Sequence, residues 1–429
     1  MAQQEILDHH DIVLRPDPAR TVIRPFSPEY PPRFAKDRAP RAEQIADRVL
    51  ALDEAQLAAA LSHVTQALDE RHRDVDRMLL RRFEDMCKLD AKHQPSDDQK
   101  RLIGAYFSEE YSFEAAALFN PSVVVSRDQA GVADGSVRFT MSLRGIGEGH
   151  VSSVTFRRGT WTPGGGIEVD PPSPSAVPPI IEGPSGDDGT TVKLQCGGSR
   201  EISETVLFPV LPSQRQGIED LRLVRFIDDD GAIIYYGTYT AFSGASARPE
   251  LLSGIDFKSF EMRPLTGDAA DAKGMALFPR RIDGRYAMLG RQDSESIWLH
   301  VSGDLYHWEG GQTIVSPRYP WEFVQVGNCG SPIEIDEGWL VLTNGVSTVR
   351  TYCMGACLLD KKDPSKLLAR TREPILEPSA KERDGYVPNV VYSCGSLVHD
   401  RTLLLPYGVA DNFATFATTP LDRLLAAME

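Results

Sequence analysis

The chain has 429 residues, 41% hydrophobic and 25% charged, a composition typical of a soluble globular protein. Its formal net charge of −15 makes nucleic acids and anionic membranes poor partners, because both are repelled by an acidic surface. The first residues lack the basic and apolar regions of a signal peptide and no apolar run reaches the length of a membrane span, so a cytoplasmic location is predicted.

The first hundred residues combine an extended arm with helices. Residues 10–40 are rich in proline and arginine, which favours an extended course across a surface. From about residue 41 apolar residues recur at helical spacing, for example at Leu57, Leu61 and Val64, and two or three helices ending near residue 97 are predicted. Residues 1–104 are therefore assigned to an N-terminal extension that packs against the rest of the chain, with a role in a homo-oligomer or at the border of the substrate cleft as the alternatives.

Beyond residue 105 one β-pattern recurs five times, as a turn with Gly or Asp followed by a strand of alternating apolar residues. The five copies begin at Gly135, Gly231, Gly284, Gly338 and Asp400. Their spacings of about 96, 53, 54 and 62 residues fall in the range of propeller blades once one insertion is allowed. Residues 162–189, rich in Gly and Pro and without apolar periodicity, are predicted as that insertion, a long loop.

The fold class predicted from this pattern is all-β, a five-bladed β-propeller with an α-helical N-terminal extension. Residues 105–429 are assigned to the propeller, and a β-sandwich with coincidental spacing is the alternative. The innermost strands of a propeller surround a central funnel. Polar side chains at corresponding places of the repeats are therefore candidates for a site.

Four polar residues stand at such corresponding places, at or just after a repeated strand. They are Arg144, Arg291, Asn344 and Asp411. A single polar residue in such a place is more often part of a structural ion pair than a ligand. Because four repeats share the same phase, we predict that these residues line one funnel.

The densest carboxylate motif is Glu219-Asp220, at the entry to the second repeat. Strand alternation predicts that the two side chains lie on opposite faces, one facing the funnel and the other either pairing with Arg222 or capping a neighbouring blade. Glycoside cleavage needs a carboxylic acid that protonates the leaving oxygen, with a nucleophile on the opposite face of the sugar. On composition alone, an Asp–Arg pair that fixes a strand corner is the more common explanation.

The six cysteines are expected to be reduced and mostly buried. Cys353 and Cys357 are too far apart for a CxxC pair, and no histidine cluster accompanies them. The sequence therefore predicts no metal site.

Taken together, five motifs resemble glycoside hydrolase family 130, the mannoside phosphorylases and related β-mannosidases, which are five-bladed propellers. The resemblance spans roughly residues 105 to 425. Each motif alone is weak, but their common order and spacing are specific to the family. The motifs are FNPS at 119–122, EDLR at 219–222, KGMALFP at 273–279, GNCGSPI at 327–333 with GWL at 338–340, and YGVAD at 407–411.

The resemblance implies roles for individual residues around the sugar. Asp220 matches the general acid of the family, which is thought to pass its proton through a sugar hydroxyl. Asn120, Arg144 and Asp411 match positions that hold the mannose, and Tyr407 in the same motif as Asp411 is assigned with them.

The resemblance also implies a phosphate site. Arg291 matches a basic residue of that site, Tyr352 falls near a tyrosine of the family, and Lys273 replaces its usual Arg, which keeps the charge and loses the bidentate fork. Gln325 stands where phosphorylases typically have Lys, and Asn344 where they typically have His. Both can hydrogen-bond an oxyanion, but neither brings a charge.

These residues favour an inverting phosphorylase that converts a β-mannoside and inorganic phosphate into α-mannose 1-phosphate and a shorter sugar, with no cofactor. The first alternative is an inverting β-mannosidase in which Glu295, Glu322 or Glu334 activates water, although each of these is more often an exposed or structural residue. The second alternative is a sugar-binding propeller without catalysis. A retaining glycosidase is disfavoured, because such enzymes usually carry an Asp near the start of the propeller and the segment at 119–121 has no carboxylate.

Overall fold

A computed structural model of the chain describes residues 6–35, 38–86, 94–185, 190–254, 256–379 and 385–429. Its contacts divide into two units. Unit 1 contains Met1–Pro18, Phe113–Pro172 and Pro179–Glu429. Unit 2 contains Ala19–Ser112 and Ser173–Pro178.

Most of the regular structure consists of short strands. They are β1 (Asp8–Leu14), β2 (Thr21–Pro25), β3 (Ser108–Ser112), β4 (Ala117–Val125), β5 (Val137–Ile146), β6 (Ser152–Trp161), β7 (Ile167–Val169), β8 (Ile180–Ser185), β9 (Thr191–Gln195), β10 (Val206–Leu207), β11 (Gly217–Ile227), β12 (Ile233–Phe242), β13 (Ala247–Gly254), β14 (Ser259–Pro264), β15 (Ala276–Leu277), β16 (Tyr286–Gly290), β17 (Ile297–Ser302), β18 (Gln312–Val315), β19 (Gln325–Asn328), β20 (Ile333–Ile335), β21 (Gly338–Val346), β22 (Tyr352–Leu359), β23 (Leu367–Arg370), β24 (Val391–Tyr392), β25 (Leu397–His399), β26 (Thr402–Val409) and β27 (Phe413–Pro420). The helices are α1 (Pro32–Ala35), α2 (Arg41–Leu50), α3 (Glu54–Asp69), α4 (Val75–Met86), α5 (Asp97–Tyr106) and α6 (Leu421–Ala426).

The strands of unit 1 form five antiparallel groups in the part of the chain that the structure describes. Their central strands, in hydrogen-bonded order, are β4-β5-β6, β11-β12-β13-β14, β15-β16-β17-β18, β19-β21-β22-β23 and β24-β26-β27-β1. The first two groups belong to one sheet, since a single parallel pairing of Ser152 with Gly217 joins β6 to β11. The third, fourth and fifth groups are separate sheets.

The five repeated segments are all strands, as predicted. They correspond to β5, β12, β16, β21 and β26, and each is the second strand of its group. The long spacing between the first and second copies contains β7 to β10. Residues 162–189, predicted as a loop, include the short strands β7 and β8, while residues 186–189 lie outside the described part of the chain.

Five buried apolar clusters connect the strand groups in a cyclic order. Each cluster draws residues from two consecutive groups, and one of them joins the fifth group back to the first. Representative members of these clusters, from the first–second pair to the fifth–first pair, are Phe156 with Leu223, Phe226 with Met288, Leu289 with Trp339, Leu342 with Leu405, and Phe416 with Phe139. Each group therefore buries apolar side chains against the groups before and after it.

The strand β1 comes from the segment that was expected to run extended over a surface. It pairs antiparallel with β27, with His9 opposite Ala417 and Leu14 opposite Ala414. Side chains reinforce this pairing, because His9 Nδ1 lies 3.0 Å from the Tyr407 hydroxyl and His10 Nε2 lies 3.0 Å from Thr418 Oγ1. A distant strand cannot be assigned to a sheet from local composition.

Unit 2 contains helices α1 to α5 and the antiparallel pair β2 and β3, which are far apart in the chain. The helix α3 begins at Asp53, whose carboxylate accepts a hydrogen bond from the Gln56 backbone N–H, and α5 begins in the same way at Ser96 with Gln99. The buried core of the helices consists of Ala46, Val49, Phe83, Leu102, Ile103 and Phe107. In the described residues, no helix is long and apolar enough to cross a bilayer.

Candidate active site

Two matching bulges place the first site residues. The register of β4 against β5 shifts between Phe119 and Ser122, and that of β11 against β12 shifts between Glu219 and Arg222. Asn120 and Asp220 lie within these bulges in the left-handed region, with φ of 48° and 55°. Asn and Asp are the side chains that tolerate this region best apart from Gly.

The two bulges bring an amide and a carboxylate together. Asn120 Nδ2 donates to Asp220 Oδ1 over 2.6 Å. Arg144 in β5 donates to the same oxygen over 3.3 Å and to Glu219 Oε1 over 2.7 Å, while its Nε donates to Ser152 Oγ over 2.8 Å. We call Asn120, Arg144, Glu219 and Asp220, together with Asp411, the acid end of the site.

The expected separation of Glu219 and Asp220 onto opposite faces is wrong. Both carboxylates contact the Arg144 guanidinium. The reason is the bulge, because an extra residue with positive φ interrupts strand alternation exactly where the two acids stand. Glu219 also reaches Lys273, whose Nζ lies 3.5 Å from Glu219 Oε2.

Arg222 was expected to pair with one of these carboxylates, and it has a different set of partners. It is buried, and its guanidinium donates to the backbone oxygens of Asp220 (3.2 Å) and Cys329 (2.9 Å) and to the Tyr392 hydroxyl (2.8 Å). Arg222 thus fixes the backbone of the bulge from beneath. Tyr392 was missed in the sequence, since nothing local marks it as a neighbour of Asp220.

The charges around Asp220 favour its ionised form. Burial is the largest single influence and raises the pKa of Asp220, whereas the charges of Arg144 and Arg222 lower it. The hydrogen bond from Asn120 and the charge of Lys273 add to them, so the pKa lies below its ordinary value. In the unliganded site Asp220 is a carboxylate.

Asp411 differs from Asp220 in its charge state. It follows β26 with φ of 49°, and burial raises its pKa to about 6 although Arg144 and Arg350 oppose the shift. The charge of Asp220 contributes to the rise. Near neutral pH Asp411 is the carboxyl of this end that takes up a proton most readily.

A second cluster, which we call the anion end, forms around Arg291. A Cβ atom at Gly327 would lie 2.8 Å from Arg291 Cδ and 2.9 Å from Asn344 Oδ1, so both side chains press against this glycine. Gly274, next to Lys273, has φ of 87° and approaches Arg291 equally closely, with 3.1 Å between its virtual Cβ and Arg291 Nε. The structure therefore brings Arg291 and Asn344 together, with Lys273 one residue before the Gly274 that packs against Arg291.

Gln325 belongs to the same cluster, and its side chain hydrogen-bonds to the Arg291 guanidinium. Oriented to satisfy both neighbours, its amide accepts a hydrogen bond from the Arg291 guanidinium and donates to the Ser294 carbonyl oxygen over 3.3 Å. A lysine at this position would place a like charge against Arg291. The replacement by Gln is thus compatible with a fixed guanidinium.

Asn344 carries the least satisfied polar group of this end. The side chain is fully buried, and neither its oxygen nor its nitrogen has a hydrogen-bond partner among the described residues. An unpaired buried amide is unfavourable by about 1–3 kcal/mol. Such a group is expected where a ligand completes the hydrogen bonds.

The two tyrosines of the predicted site lie in different surroundings. Tyr352 begins β22 opposite Val346, and the guanidinium carbon of Arg350 lies 6.0 Å from its ring centroid. Tyr407 is buried in β26, and its hydroxyl contacts His9 of β1. Tyr352 is therefore placed beside a cation, while Tyr407 contacts the edge strand.

The carboxylates considered for water activation are placed differently from one another. Glu322 is buried in an ion pair with Arg370 (2.5 Å), and Glu334 binds Arg280 (2.7 Å). Glu295 is exposed after β16. Two of the three acids are therefore bound in structural ion pairs.

A cavity of about 460 Å³ lies among the strand groups of unit 1. Its lining includes Val123, Leu223, Pro279, Ile333 and Leu397, one from each of the five strand groups. None of the residues of the acid end or the anion end lines this cavity, so the cavity is distinct from both. Within the described residues, no group of three or more His, Cys, Asp or Glu side chains is arranged to hold a metal ion.

The comparisons with known proteins agree with these motifs. A family profile of glycoside hydrolase family 130, described as β-1,4-mannooligosaccharide phosphorylase, matches residues 199–429. The chain is 38% identical over 215 residues to a 1,2-β-oligomannan phosphorylase of Thermoanaerobacter sp. (strain X514). The aligned region covers 49% of this chain and 70% of that protein. The chain is 37% identical over 228 residues to a β-1,2-mannobiose phosphorylase of the same strain, with coverage of 52% and 73%.

A solved structure extends the similarity to the fold. The β-1,2-mannobiose phosphorylase of Listeria innocua, in complex with β-1,2-mannobiose, superposes with a TM-score of 0.54 over 73% of this chain and 92% of that chain, at 22% identity. This similarity shows a shared fold. With the profile covering more than half of its length, the chain belongs to glycoside hydrolase family 130.

Proposed function

We propose that the protein is an inverting phosphorylase that cleaves β-mannosides with inorganic phosphate to give α-mannose 1-phosphate. The observation that carries the proposal is the junction of the two ends of the site. Asn120 contacts Asp220, Arg144 joins Asp220 to Glu219, and Glu219 contacts Lys273 next to the anion end. An acid and a cationic anion site thus stand side by side, as attack on one sugar carbon requires.

The finer fold assignment is a five-bladed β-propeller. Its support is the cyclic series of five apolar clusters and the cavity lined by one strand of every group. In such an architecture the inner strands β4, β11, β15, β19 and β24 surround the axis. The site then lies where these inner strands begin.

The reaction follows from the two ends. An oxygen of the phosphate dianion attacks C1 of the mannosyl unit, the bond from C1 to the glycosidic oxygen breaks, and the proton of Asp220 passes to that oxygen through a sugar hydroxyl. Attack opposite the leaving group inverts C1 from β to α. The hydroxyl proton of the attacking phosphate then replaces the proton lost by Asp220, so the products are α-mannose 1-phosphate and a shortened mannoside.

The ionised state of Asp220 in the empty site is compatible with this role. Positive charges, among them Lys273, hold its pKa low. A phosphate dianion bound beside Lys273 and Arg291 offsets those charges and raises the pKa of the carboxyl. Phosphate binding therefore prepares the acid for the sugar.

The mannose-binding roles go to Asn120, Arg144 and Asp411, because all three surround Asp220. Arg144 and Asn120 hold Asp220 directly, and Asp411 interacts electrostatically with both Arg144 and Asp220. Tyr407 is left as a sequence-based candidate, since its hydroxyl contacts His9. The linkage proposed is β-1,2, after the names of the two most similar relatives reported above.

Product analysis tests the proposal. β-1,2-, β-1,3- and β-1,4-mannobiose are incubated with the protein, with and without inorganic phosphate, and the products are separated. We expect mannose 1-phosphate from the β-1,2 disaccharide only when phosphate is present. Free mannose at a rate independent of phosphate would instead identify a hydrolase, and cleavage of none of the three would leave a sugar-binding protein.

A further inference from the structure

Arg350 is a cation beside Tyr352 that the sequence did not single out. It lies in the turn Thr348–Arg350 between β21 and β22, is exposed, and makes no ion pair with a carboxylate of the described residues. Its guanidinium carbon lies 6.0 Å from the centroid of the Tyr352 ring. Its charge also acts on Asp411 of the acid end, where it lowers the pKa of that carboxyl.

The turn holds Arg350 in an unusual backbone conformation. Val349 and Arg350 have φ of 55° and 54°, in the left-handed region, and the Val349 side chain is 87% exposed. A β-branched residue is rare in this region and gains nothing from burial here. The turn thus fixes the backbone of Arg350, whose guanidinium carbon lies near the Tyr352 ring.

The residues of the anion end bring less positive charge than a phosphate dianion needs, and Arg350 can supply the remainder. A phosphate dianion carries two negative charges at neutral pH. Of the cations nearby, Lys273 is already opposed by Glu219 at 3.5 Å, while Gln325 and Asn344 are uncharged. Arg291 is then the one full charge available among the residues assigned to phosphate.

We propose that Arg350 is a phosphate-binding residue, which supplies from the β21–β22 turn the positive charge that Gln325 and Asn344 do not bring. This inference rests on the proposed function. The planar guanidinium donates two parallel hydrogen bonds to an oxyanion, with Tyr352 supporting its face. It would then decide specificity for an anionic acceptor over water.

The test compares Arg350→Gln with Arg350→Lys and with the control Arg318→Gln. Arg318 is also exposed and lies 5.4 Å over the ring of the following Tyr319, so the control removes the same charge from a similar stack. Initial rates are measured against phosphate at saturating β-1,2-mannobiose and against the mannobiose at saturating phosphate. Calorimetric titration with inorganic phosphate alone gives the Kd without turnover.

We expect Arg350→Gln to raise the KM and the Kd for phosphate about tenfold, equivalent to about 1.4 kcal/mol, while the mannobiose KM stays within about twofold. Arg350→Lys should recover most of the loss, and Arg318→Gln should behave as the wild type. A phosphate Kd within about twofold of the wild type, or a rise confined to the mannobiose KM, would overturn the proposal. If the wild type releases free mannose without phosphate dependence, the phosphorylase assignment fails, and the titration still decides whether Arg350 binds the anion. A wild type that binds no phosphate overturns both.

Discussion

The acid end and the anion end of the site differ in how far their polar side chains are hydrogen-bonded to one another. At the acid end, Asn120, Arg144 and Glu219 surround Asp220 with hydrogen bonds of 2.6 to 3.3 Å between these groups. At the anion end, the buried amide of Asn344 has no hydrogen-bond partner among the described residues. The charged groups of the acid end are therefore hydrogen-bonded to one another, whereas the amide of Asn344 at the anion end is not.

The largest effect is expected at the acid end, from Asp220→Asn. The amide keeps the shape and cannot donate the acid proton, so we expect kcat to fall by about 10²- to 10⁴-fold with β-1,2-mannobiose. The leaving group of a nitrophenyl β-mannoside needs little protonation, so kcat with that substrate should fall much less. Asp336→Asn, at a side chain 92% exposed, is the control. Equal losses with both substrates would contradict an acid role for Asp220.

The next effect is expected for Arg144→Lys, which keeps the charge and removes the fork. Arg144 donates through three different nitrogens to Ser152, Glu219 and Asp220, and an ammonium group cannot reproduce that geometry. We expect kcat/KM for the mannoside to fall on the order of 10²-fold, with a smaller change in the phosphate KM. A change confined to the phosphate KM would contradict the assignment of Arg144 to the acid end.

A mutation at the anion end should separate stability from binding. Asn344→Leu removes an unpaired buried amide and keeps a similar volume, so we expect the unliganded protein to gain about 1 kcal/mol of unfolding free energy. The same variant should bind phosphate about tenfold more weakly. Chemical denaturation and phosphate titration measure the two effects. A destabilised variant with unchanged phosphate affinity would mean that Asn344 has a structural role.

The smallest effect concerns Asp411 and the pH. Its pKa is raised to about 6, so the folded protein keeps a proton there between about pH 4 and 6 that the unfolded chain has lost. The contribution of Asp411 to stability therefore falls as the pH rises through this range. Asp411→Asn lacks this loss, so its free energy of unfolding should exceed that of the wild type by about 1–2 kcal/mol at pH 7. The difference should shrink toward pH 4. Thermal unfolding across pH checks it, and a constant difference would contradict the raised pKa.

The repeated strands could be predicted because their signal is local. A glycine turn followed by alternating apolar residues identifies β5, β12, β16, β21 and β26 without reference to any other segment. The start of α3 also carries a local signal, since Asp53 precedes the helix that it caps. The pairing partner of β1 lies about 400 residues away and leaves no local trace.

The site could be predicted only in part, because bulges and turns change the direction of side chains relative to regular strand alternation. Alternation fails at Glu219 and Asp220, where a bulge with positive φ turns both acids to Arg144. Arg350 escaped notice since an exposed arginine in a turn has the composition of any surface. The buried state of Glu322 likewise depends on Arg370, which the chain supplies from a different strand.

The pairing of β1 with β27 has a consequence for how the protein acquires its structure. His9 and Tyr407, which contact each other, are 398 positions apart in the chain. During synthesis at a ribosome, the fifth strand group therefore cannot be finished until β27 has emerged, however early β1 was made. Closing so long a segment is entropically unfavourable and slow, so we expect this group to order last and to exchange its amide protons first.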